Sequence, residues 1–397
     1  MKSKEYIYLD YAASTPVDPE VMSAMMPYFM EKYGNPSSLH SFGQEAIAAI
    51  DKSRETIARA IGADFEEVIF TGSATEANNL ALRGAIKAFR RNNKSFSPRI
   101  IVSAIEHESV LETAKDLEHS GVEVVYLPVD RNGFVSANDL RDALNERTVL
   151  VSIMYANNEI GIVEPISVIG EEIRKWKIKN IKNKDYGFPL LHTDAVQAFQ
   201  FLDCDVRRIG VDLMTLSAHK IYGPKGIGAL YMKRQNRDKP KFLEAAITGG
   251  GQEFGLRSGT ENVASIIGFA KAIELVLKIR SDESKRLKSL TDYFLEELKQ
   301  ICPGVGLNDA EPRLPNILSI YLPQNLAHDL LIKFDKVKVA ISSGSACTTR
   351  SPEPSHVLTA CGFSKSRALE TCRISFGRYT TKPDLVKVLE EFRELLK

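Results

Sequence analysis

Short apolar runs alternate with amphipathic stretches along the first two thirds of the chain. The runs have the length and composition of buried β-strands. They lie at 66–72, 98–107, 122–130, 148–161 and 189–197. The stretches between them have apolar residues at helical spacing and include 74–91, 108–121 and 166–177. This alternation predicts an α/β fold with an open, mostly parallel sheet that is covered on both faces.

Polar clusters follow the predicted strands at their carboxyl ends. They include Thr71–Thr75, Glu106–His107, Asn157–Glu159 and His192–Gln197. In open sheets of this kind the ligand binds beyond the carboxyl ends of the strands. The clusters therefore predict a ligand site at that edge of the sheet.

The hydrophobic pattern changes after about residue 262. One long helical pattern covers 263–301, and the strands and helices that follow are fewer and more segregated. Segregated elements are typical of an α+β arrangement. The chain of 397 residues is also long enough for two domains. We therefore expect a second, smaller α+β domain in this part of the chain.

Composition and charge limit the partners and the cellular compartment that we expect for the protein. The chain is 44% hydrophobic, 26% charged and has a formal net charge of +1, so its overall charge gives no reason to expect a nucleic acid or an anionic membrane as partner. Its five cysteines form no C-x-x-C pair and no zinc-like spacing. No long apolar run or signal core is present. We expect a reduced, cytoplasmic protein without a metal site.

Two short stretches, 89–99 and 174–184, are rich in Lys and Arg. Such runs favour a solvated helix end followed by a loop. A docking patch for an acidic partner or a nucleic acid is the alternative.

Two polar residues at predicted strand ends suggest cofactor chemistry. Lys220 follows a strand-like run and precedes a turn rich in Gly and Pro, and a desolvated lysine amine can form a Schiff base. Asp194 ends a strongly apolar strand, where a carboxylate needs a cationic partner such as a protonated pyridine nitrogen. Taken singly, Lys220 could be a surface lysine and Asp194 a helix N-cap.

The turn at 70–79, "FTGSATEANN", joins a predicted strand to a predicted helix. Free N–H groups at a helix N-terminus bind phosphate. Gly72, Ala74 and Thr75 would supply them here, although the same turn is also an ordinary N-cap.

Cys347 lies in the segment "ISSGSACTTRSPEPSH", among residues that favour exposed turns. Most free cysteines are buried among apolar side chains instead. The position of this thiol therefore calls for a functional explanation.

Eight motifs along the chain resemble those of the cysteine desulfurases, which are pyridoxal phosphate (PLP) enzymes, from the branch of the NifS and IscS proteins. In chain order they are "YLDYAASTP", "GNPSS", "SAIEHESVL", "NNEIG", "HTDAVQ", "SAHKIYGPKGIGALY", "GGGQEFGLRSGTEN" and "SSGSACTT". The resemblance implies the aspartate-aminotransferase-like type I fold with a mostly parallel sheet of seven strands. It also implies a large PLP-binding domain at 16–262 and a small domain formed by 1–15 and 263–397.

The resemblance assigns roles to the matching residues. It implies that Lys220 carries PLP, that His107 stacks on the ring and can shuttle protons, and that Asp194 pairs with the ring nitrogen. The other residues implied in binding are Gln197 at the phenolic oxygen, Ala74, Thr75, Ser217 and His219 at the phosphate, Asn157 beside cofactor and substrate, Thr260 at the phosphate of a neighbouring subunit, and Arg373 at the substrate carboxylate.

The resemblance also implies the reaction. L-cysteine binds to PLP, the Cys347 thiolate attacks the substrate sulfur, and L-alanine leaves while a persulfide remains on Cys347. A homodimer and a sulfur-acceptor protein are the implied partners. The sulfur would serve iron–sulfur cluster assembly, tRNA thiolation, DNA phosphorothioation or another carrier.

Other functions remain open from the sequence. One is a selenocysteine lyase or another PLP enzyme of the same fold, such as an aminotransferase, which would have no need of Cys347 in an exposed loop. Another is a sulfur carrier or scaffold without catalytic activity, which would need neither Lys220 nor Asp194.

Overall fold

The computed structural model describes residues 6–93, 97–181, 187–234, 242–308, 310–343 and 353–396. The strands are β1 (Ile7–Tyr8), β2 (Val68–Thr71), β3 (Arg99–Ser103), β4 (Glu123–Leu127), β5 (Thr148–Ser152), β6 (Leu190–Asp194), β7 (Leu213–Ser217), β8 (Gly228–Met232), β9 (Gly306–Leu307), β10 (Ile317–Tyr321), β11 (Val339–Ala340) and β12 (Thr371–Ser375).

The α-helices are α1 (Pro19–Met25), α2 (Pro27–Met30), α3 (Ser41–Ala60), α4 (Ala74–Asn92), α5 (Glu108–His119), α6 (Ala137–Ala143), α7 (Ile166–Asn180), α8 (Val206–Ile209), α9 (Val263–Ile301), α10 (Ala327–Lys336), α11 (His356–Ala360), α12 (Lys365–Leu369) and α13 (Lys382–Leu395). No helix in these described ranges combines the length and the hydropathy that crossing a membrane requires.

The main sheet confirms the predicted α/β architecture. Within the described chain it has seven strands in the order β2-β8-β7-β6-β5-β3-β4. Strand β8 runs antiparallel to β2 and β7, and the remaining pairs are parallel. Every residue of β5, β6 and β7 is buried, as expected for strands that are covered on both faces.

The described residues between 263 and 396 contain one long helix and most of the strands outside the main sheet. The long helical pattern is confirmed as α9, which has 39 residues and contacts α1, α3 and α13. Strands β12, β10 and β9 make an antiparallel sheet, and β1 pairs with β11. The division into domains at residue 262 stays a prediction.

A buried ion pair fixes the loop that precedes α9. Arg54 of α3 donates to both carboxylate oxygens of Glu253 at 2.7 Å, and both side chains are almost fully buried. Glu253 (φ 49°) and Phe254 (φ 58°) have left-handed backbone conformations, which are strained for residues other than glycine. The ion pair and the Arg54–Phe254 contact at 5.0 Å hold this strained turn in place.

We expect Arg54→Met to lower the free energy of unfolding by about 3–5 kcal/mol, because it leaves the Glu253 carboxylate buried without its cation. Urea unfolding followed by circular dichroism measures the change. Arg59→Met is the control, since Arg59 pairs with Glu55 on the exposed face of the same helix. Adding Glu253→Gln to Arg54→Met should recover part of the loss. If Arg54→Met and Arg59→Met lowered the free energy of unfolding equally, the stabilising role of the buried Arg54–Glu253 ion pair would be contradicted.

Candidate active site

A cleft of about 340 Å³ opens at the carboxyl ends of β3, β5, β6 and β7, where the polar clusters of the sequence predict a ligand site. Its volume lies in the range of small-molecule sites. The predicted site residues that line it are Ala74, Thr75, His107, Asp194, Gln197, His219, Lys220 and Arg373. Residues that are far apart in sequence therefore share one cleft.

Lys220 is held by the N-terminal segment of the chain. It ends the short helical turn Ala218–Lys220 that follows β7, and its side chain is half-buried. The Nζ group donates hydrogen bonds to the backbone oxygens of Ala12 at 2.6 Å and Ala13 at 2.7 Å. Gln197 Nε2 donates to the same Ala12 oxygen at 2.8 Å. These contacts position the amine within the cleft.

Asp194 is a buried carboxylate at the end of β6, with a relative exposure of 6%. It accepts hydrogen bonds from Asn78 Nδ2 at 2.8 Å and from the Val196 backbone N–H at 3.0 Å. Both donors are uncharged, so they orient the carboxylate without neutralising it. A cationic group placed in the cleft would be stabilised there.

Two of the predicted histidines have different environments. His107 caps the start of α5, where its Nδ1 accepts from the Ser109 backbone N–H at 3.0 Å. His219 contacts Ser14 Oγ through Nδ1 at 3.4 Å. Burial, together with the positive charges of Lys220 and Lys225, lowers the pKa of His219 to about 4. His219 is therefore neutral at physiological pH and presents an N–H donor.

The turn before α4 differs from the sequence prediction at one position. The Gly72 N–H donates to Glu76 Oε2 at 2.9 Å, so the prediction that it is free for a phosphate is wrong. The strand β8 approaches the turn closely at Gly228, where a Cβ atom would lie 2.7 Å from the Ser73 carbonyl carbon and 2.9 Å from the Ala74 nitrogen. Only glycine fits at this point. The close approach of β8 that it permits places the first turn of α4 beside the cleft.

Arg373 on β12 is the buried arginine of the cleft, with a relative exposure of 3%. Its Nη2 pairs with Asp10 Oδ1 at 2.8 Å, and its Nη1 donates to the Asn158 backbone oxygen at 2.9 Å. The Nε atom is buried without a hydrogen-bond partner in the described structure. The guanidinium is thus fixed in orientation and retains donor capacity, which suits a carboxylate ligand.

Three of the predicted site residues that the structure describes, Ser217, Asn157 and Thr260, do not line the cleft. Ser217 is buried at the end of β7. The Asn157 side chain is fully buried and donates to the Ile105 backbone oxygen at 3.0 Å, whereas its neighbour Asn158 lines the cleft. Thr260 is exposed and borders a separate cleft of about 130 Å³. Cys347 lies outside the described residues.

Sequence reasoning missed three residues of this region, Asp10, Asn78 and His356, and it named Glu106 only as part of a polar cluster. Asn78 follows Thr75 by three positions, so helical spacing could have placed both on one face of α4. Glu106 is fully buried beneath the cleft, where its Oε1 accepts from the Met154 N–H at 2.6 Å. Burial raises the pKa of Glu106 to about 8. His356 lines the cleft and bonds the Glu106 backbone oxygen.

Known proteins share this sequence and fold. The family described as Aminotransferase class-V matches residues 7–388. Cysteine desulfurase IscS of Dictyoglomus turgidum is 44% identical, over 99% of this chain and 96% of that protein. A solved structure described as a NifS-like protein has a TM-score of 0.88 and 34% identity, covering 98% of this chain and 99% of its own.

A further solved structure, described as SspA in complex with cysteine, is 36% identical with a TM-score of 0.76. It covers 94% of this chain and 100% of its own. Likeness of this degree extends over nearly the whole chain and not over single motifs. The chain therefore belongs to the class-V aminotransferases and, within them, to the cysteine desulfurase family.

Proposed function

We propose that this protein is a PLP-dependent cysteine desulfurase that removes sulfur from L-cysteine, releases L-alanine and holds the sulfur as a persulfide on Cys347. The observation that carries the proposal is the convergence of Lys220, Asp194, His107 and Arg373 on one cleft. An amine, a buried carboxylate, an aromatic imidazole and a guanidinium together match the chemistry that an amino acid on PLP requires.

The donor set of the cleft fits PLP. Lys220 would hold the aldehyde carbon, and the carboxylate of Asp194, oriented by Asn78, would stabilise a protonated ring nitrogen. The first turn of α4 and the neutral His219 would supply N–H donors to the phosphate. When bound, PLP supplies an electron sink for bonds at the substrate α-carbon.

Arg373 would bind the substrate carboxylate. One of its Nη atoms already pairs with Asp10 at 2.8 Å, so part of its positive charge is balanced inside the protein. The remaining donors suit one carboxylate. This favours an amino acid with a single carboxylate, such as L-cysteine, as the substrate.

The activity can be tested with the purified protein loaded with PLP. We expect a visible absorbance band that changes when L-cysteine is added, followed by formation of alanine and, with a thiol reductant, of sulfide in equal amounts. Product analysis should also include keto acids, and L-selenocysteine should be compared as substrate. A protein that binds no PLP, or that forms a keto acid and no alanine, would contradict the proposal.

The sulfur on Cys347 would then pass to an acceptor protein. Iron–sulfur cluster assembly and tRNA thiolation are the two destinations to compare. Transfer from the persulfide to candidate acceptors, followed with ³⁵S-labelled cysteine, distinguishes the two.

We also propose that two copies of the chain form the active unit. Large apolar side chains are exposed between residues 22 and 42; they are Met22, Met26, Phe29, Met30, Tyr33, Leu39 and Phe42. Leu39 is 93% and Met30 73% exposed, and clusters of this kind mark interaction surfaces. A second copy would cover them and could bring its Thr260 to the phosphate in this cleft.

The double change Met30→Asp with Leu39→Asp is expected to shift the protein from dimer to monomer, because each carboxylate would be buried at the interface. Analytical ultracentrifugation measures the mass in solution. Ile178→Asp is the control, since Ile178 is 71% exposed on α7, outside the 22–42 surface. A wild-type monomer, or a double variant that remains dimeric, would refute the proposed interface.

A further inference from the structure

The three histidines of the cleft, His107, His219 and His356, differ in their ability to accept a proton. At His107, Nδ1 accepts the hydrogen of the Ser109 backbone N–H at 3.0 Å. A backbone N–H can only donate, so the lone pair of the neutral ring is on Nδ1 and its hydrogen is on Nε2. In its neutral form His107 therefore offers the cleft a donor, and its acceptor atom is already engaged.

His356 has the opposite arrangement. Its Nε2 lies 3.0 Å from the backbone oxygen of Glu106. A carbonyl oxygen can only accept, so Nε2 carries the hydrogen and the lone pair of the neutral ring is on Nδ1. Among the described residues, the Nδ1 atom of His356 has no hydrogen-bond partner, and the side chain lines the cleft.

The position of His356 is fixed by its surroundings. The preceding residue, Ser355, is buried and donates to Glu159 Oε2 at 2.5 Å. The two residues that follow, Val357 and Leu358, are buried in an apolar cluster with Ile105 and Met154. The packing of these neighbouring residues therefore fixes the position of the His356 ring beside the ends of β3 and β5. A group that acts on a ligand needs a fixed position of this kind.

We propose that His356 is a catalytic residue that accepts a proton from the ammonium group of L-cysteine; this inference rests on the proposed function. An N–H bond of the ammonium breaks, its electron pair stays on the substrate nitrogen, and the proton binds Nδ1 to give an imidazolium. The neutral amine is then a nucleophile. The imidazolium later releases its proton to solvent.

The other groups at the cleft support this assignment. The charged side chains that line it are Glu108, Glu159, Asp194, Lys220 and Arg373, and the Glu106 carboxyl lies beneath it. His219 is a weak base, since its pKa is lowered to about 4.

The variant His356→Gln separates proton transfer from positioning. A glutamine amide can still donate to the Glu106 oxygen, but it has no basic nitrogen. In the PLP-loaded protein we expect the absorbance change on mixing with L-cysteine to be about 100-fold slower at neutral pH. The defect should shrink at alkaline pH, where more of the substrate amine is already neutral. His119→Gln, on the exposed end of α5, should behave like wild type.

A second measurement does not depend on activity. In ¹⁵N NMR spectra of histidine-labelled protein without cofactor, neutral His356 and neutral His107 should each carry the hydrogen on Nε2, and the His356 Nδ1 signal should be that of a nitrogen without a hydrogen-bond donor. Equal rates for His356→Gln and wild type, a defect that is the same at both pH values, or a hydrogen on His356 Nδ1 would overturn the inference. If wild type itself forms no alanine, the proposed function fails as well.

Discussion

Replacing Cys347 by serine is expected to leave PLP bound and to lower alanine formation to below about 1% of the wild-type rate, because a hydroxyl cannot replace the thiolate that attacks the substrate sulfur. Visible absorbance should report an unchanged cofactor, and the change that follows L-cysteine addition should still begin. Intact-mass measurement should show no added sulfur on the variant, whereas wild type gains sulfur.

The other cysteines are poor substitutes for Cys347. Cys204, Cys361 and Cys372 are buried, and burial raises the pKa of each thiol to about 12. They are protonated at neutral pH and therefore unreactive as nucleophiles. Cys302 is partly exposed, so Cys302→Ser is the matched control and should retain activity. Sustained alanine formation by Cys347→Ser would mean that another group accepts the sulfur.

Lys220→Ala is expected to remove the Schiff-base absorbance and to reduce alanine formation by about 1,000-fold or more, since it deletes the amine that would attach PLP and that could act as a base beside the bound substrate. Added PLP should bind weakly through the phosphate and ring contacts that remain. Rapid-scan absorbance and alanine assays measure the two effects.

The control for this variant is Lys225→Ala. Lys225 is an exposed residue five positions further along the same turn region. Its charge is the smallest of the three causes that lower the pKa of His219, so we expect its loss to leave absorbance and rate near wild type. If Lys220→Ala kept the wild-type spectrum while Lys225→Ala lost it, the assignment of Lys220 as the lysine that binds the cofactor would be wrong.

The strand and helix pattern was predictable from the sequence because β5, β6 and β7 are buried on both faces and therefore contain runs of apolar residues. The antiparallel direction of β8 was not, since periodicity carries no information on strand direction. The site residues at strand ends were predictable because the carboxyl ends of parallel strands lie at one edge of the sheet.

Contacts between distant segments could not be predicted. Arg373 pairs with Asp10, 363 positions away, and Asp194 is oriented by Asn78, 116 positions away. Gly72 was misjudged because its N–H is taken by the Glu76 side chain, which only the folded turn reveals. His356 is the last residue of the sequence segment that contains Cys347. Its hydrogen bond to Glu106 could not be predicted because that bond depends on how α11 packs.

The central claim is that the amine of Lys220 holds the coenzyme in this cleft. Borohydride reduction of the PLP-loaded protein, followed by proteolysis and mass spectrometry, tests it directly. We predict one modified peptide, with the reduced pyridoxyl group on Lys220. A pyridoxyl group on another lysine, or no modified peptide from a protein that is active with L-cysteine, would contradict the account.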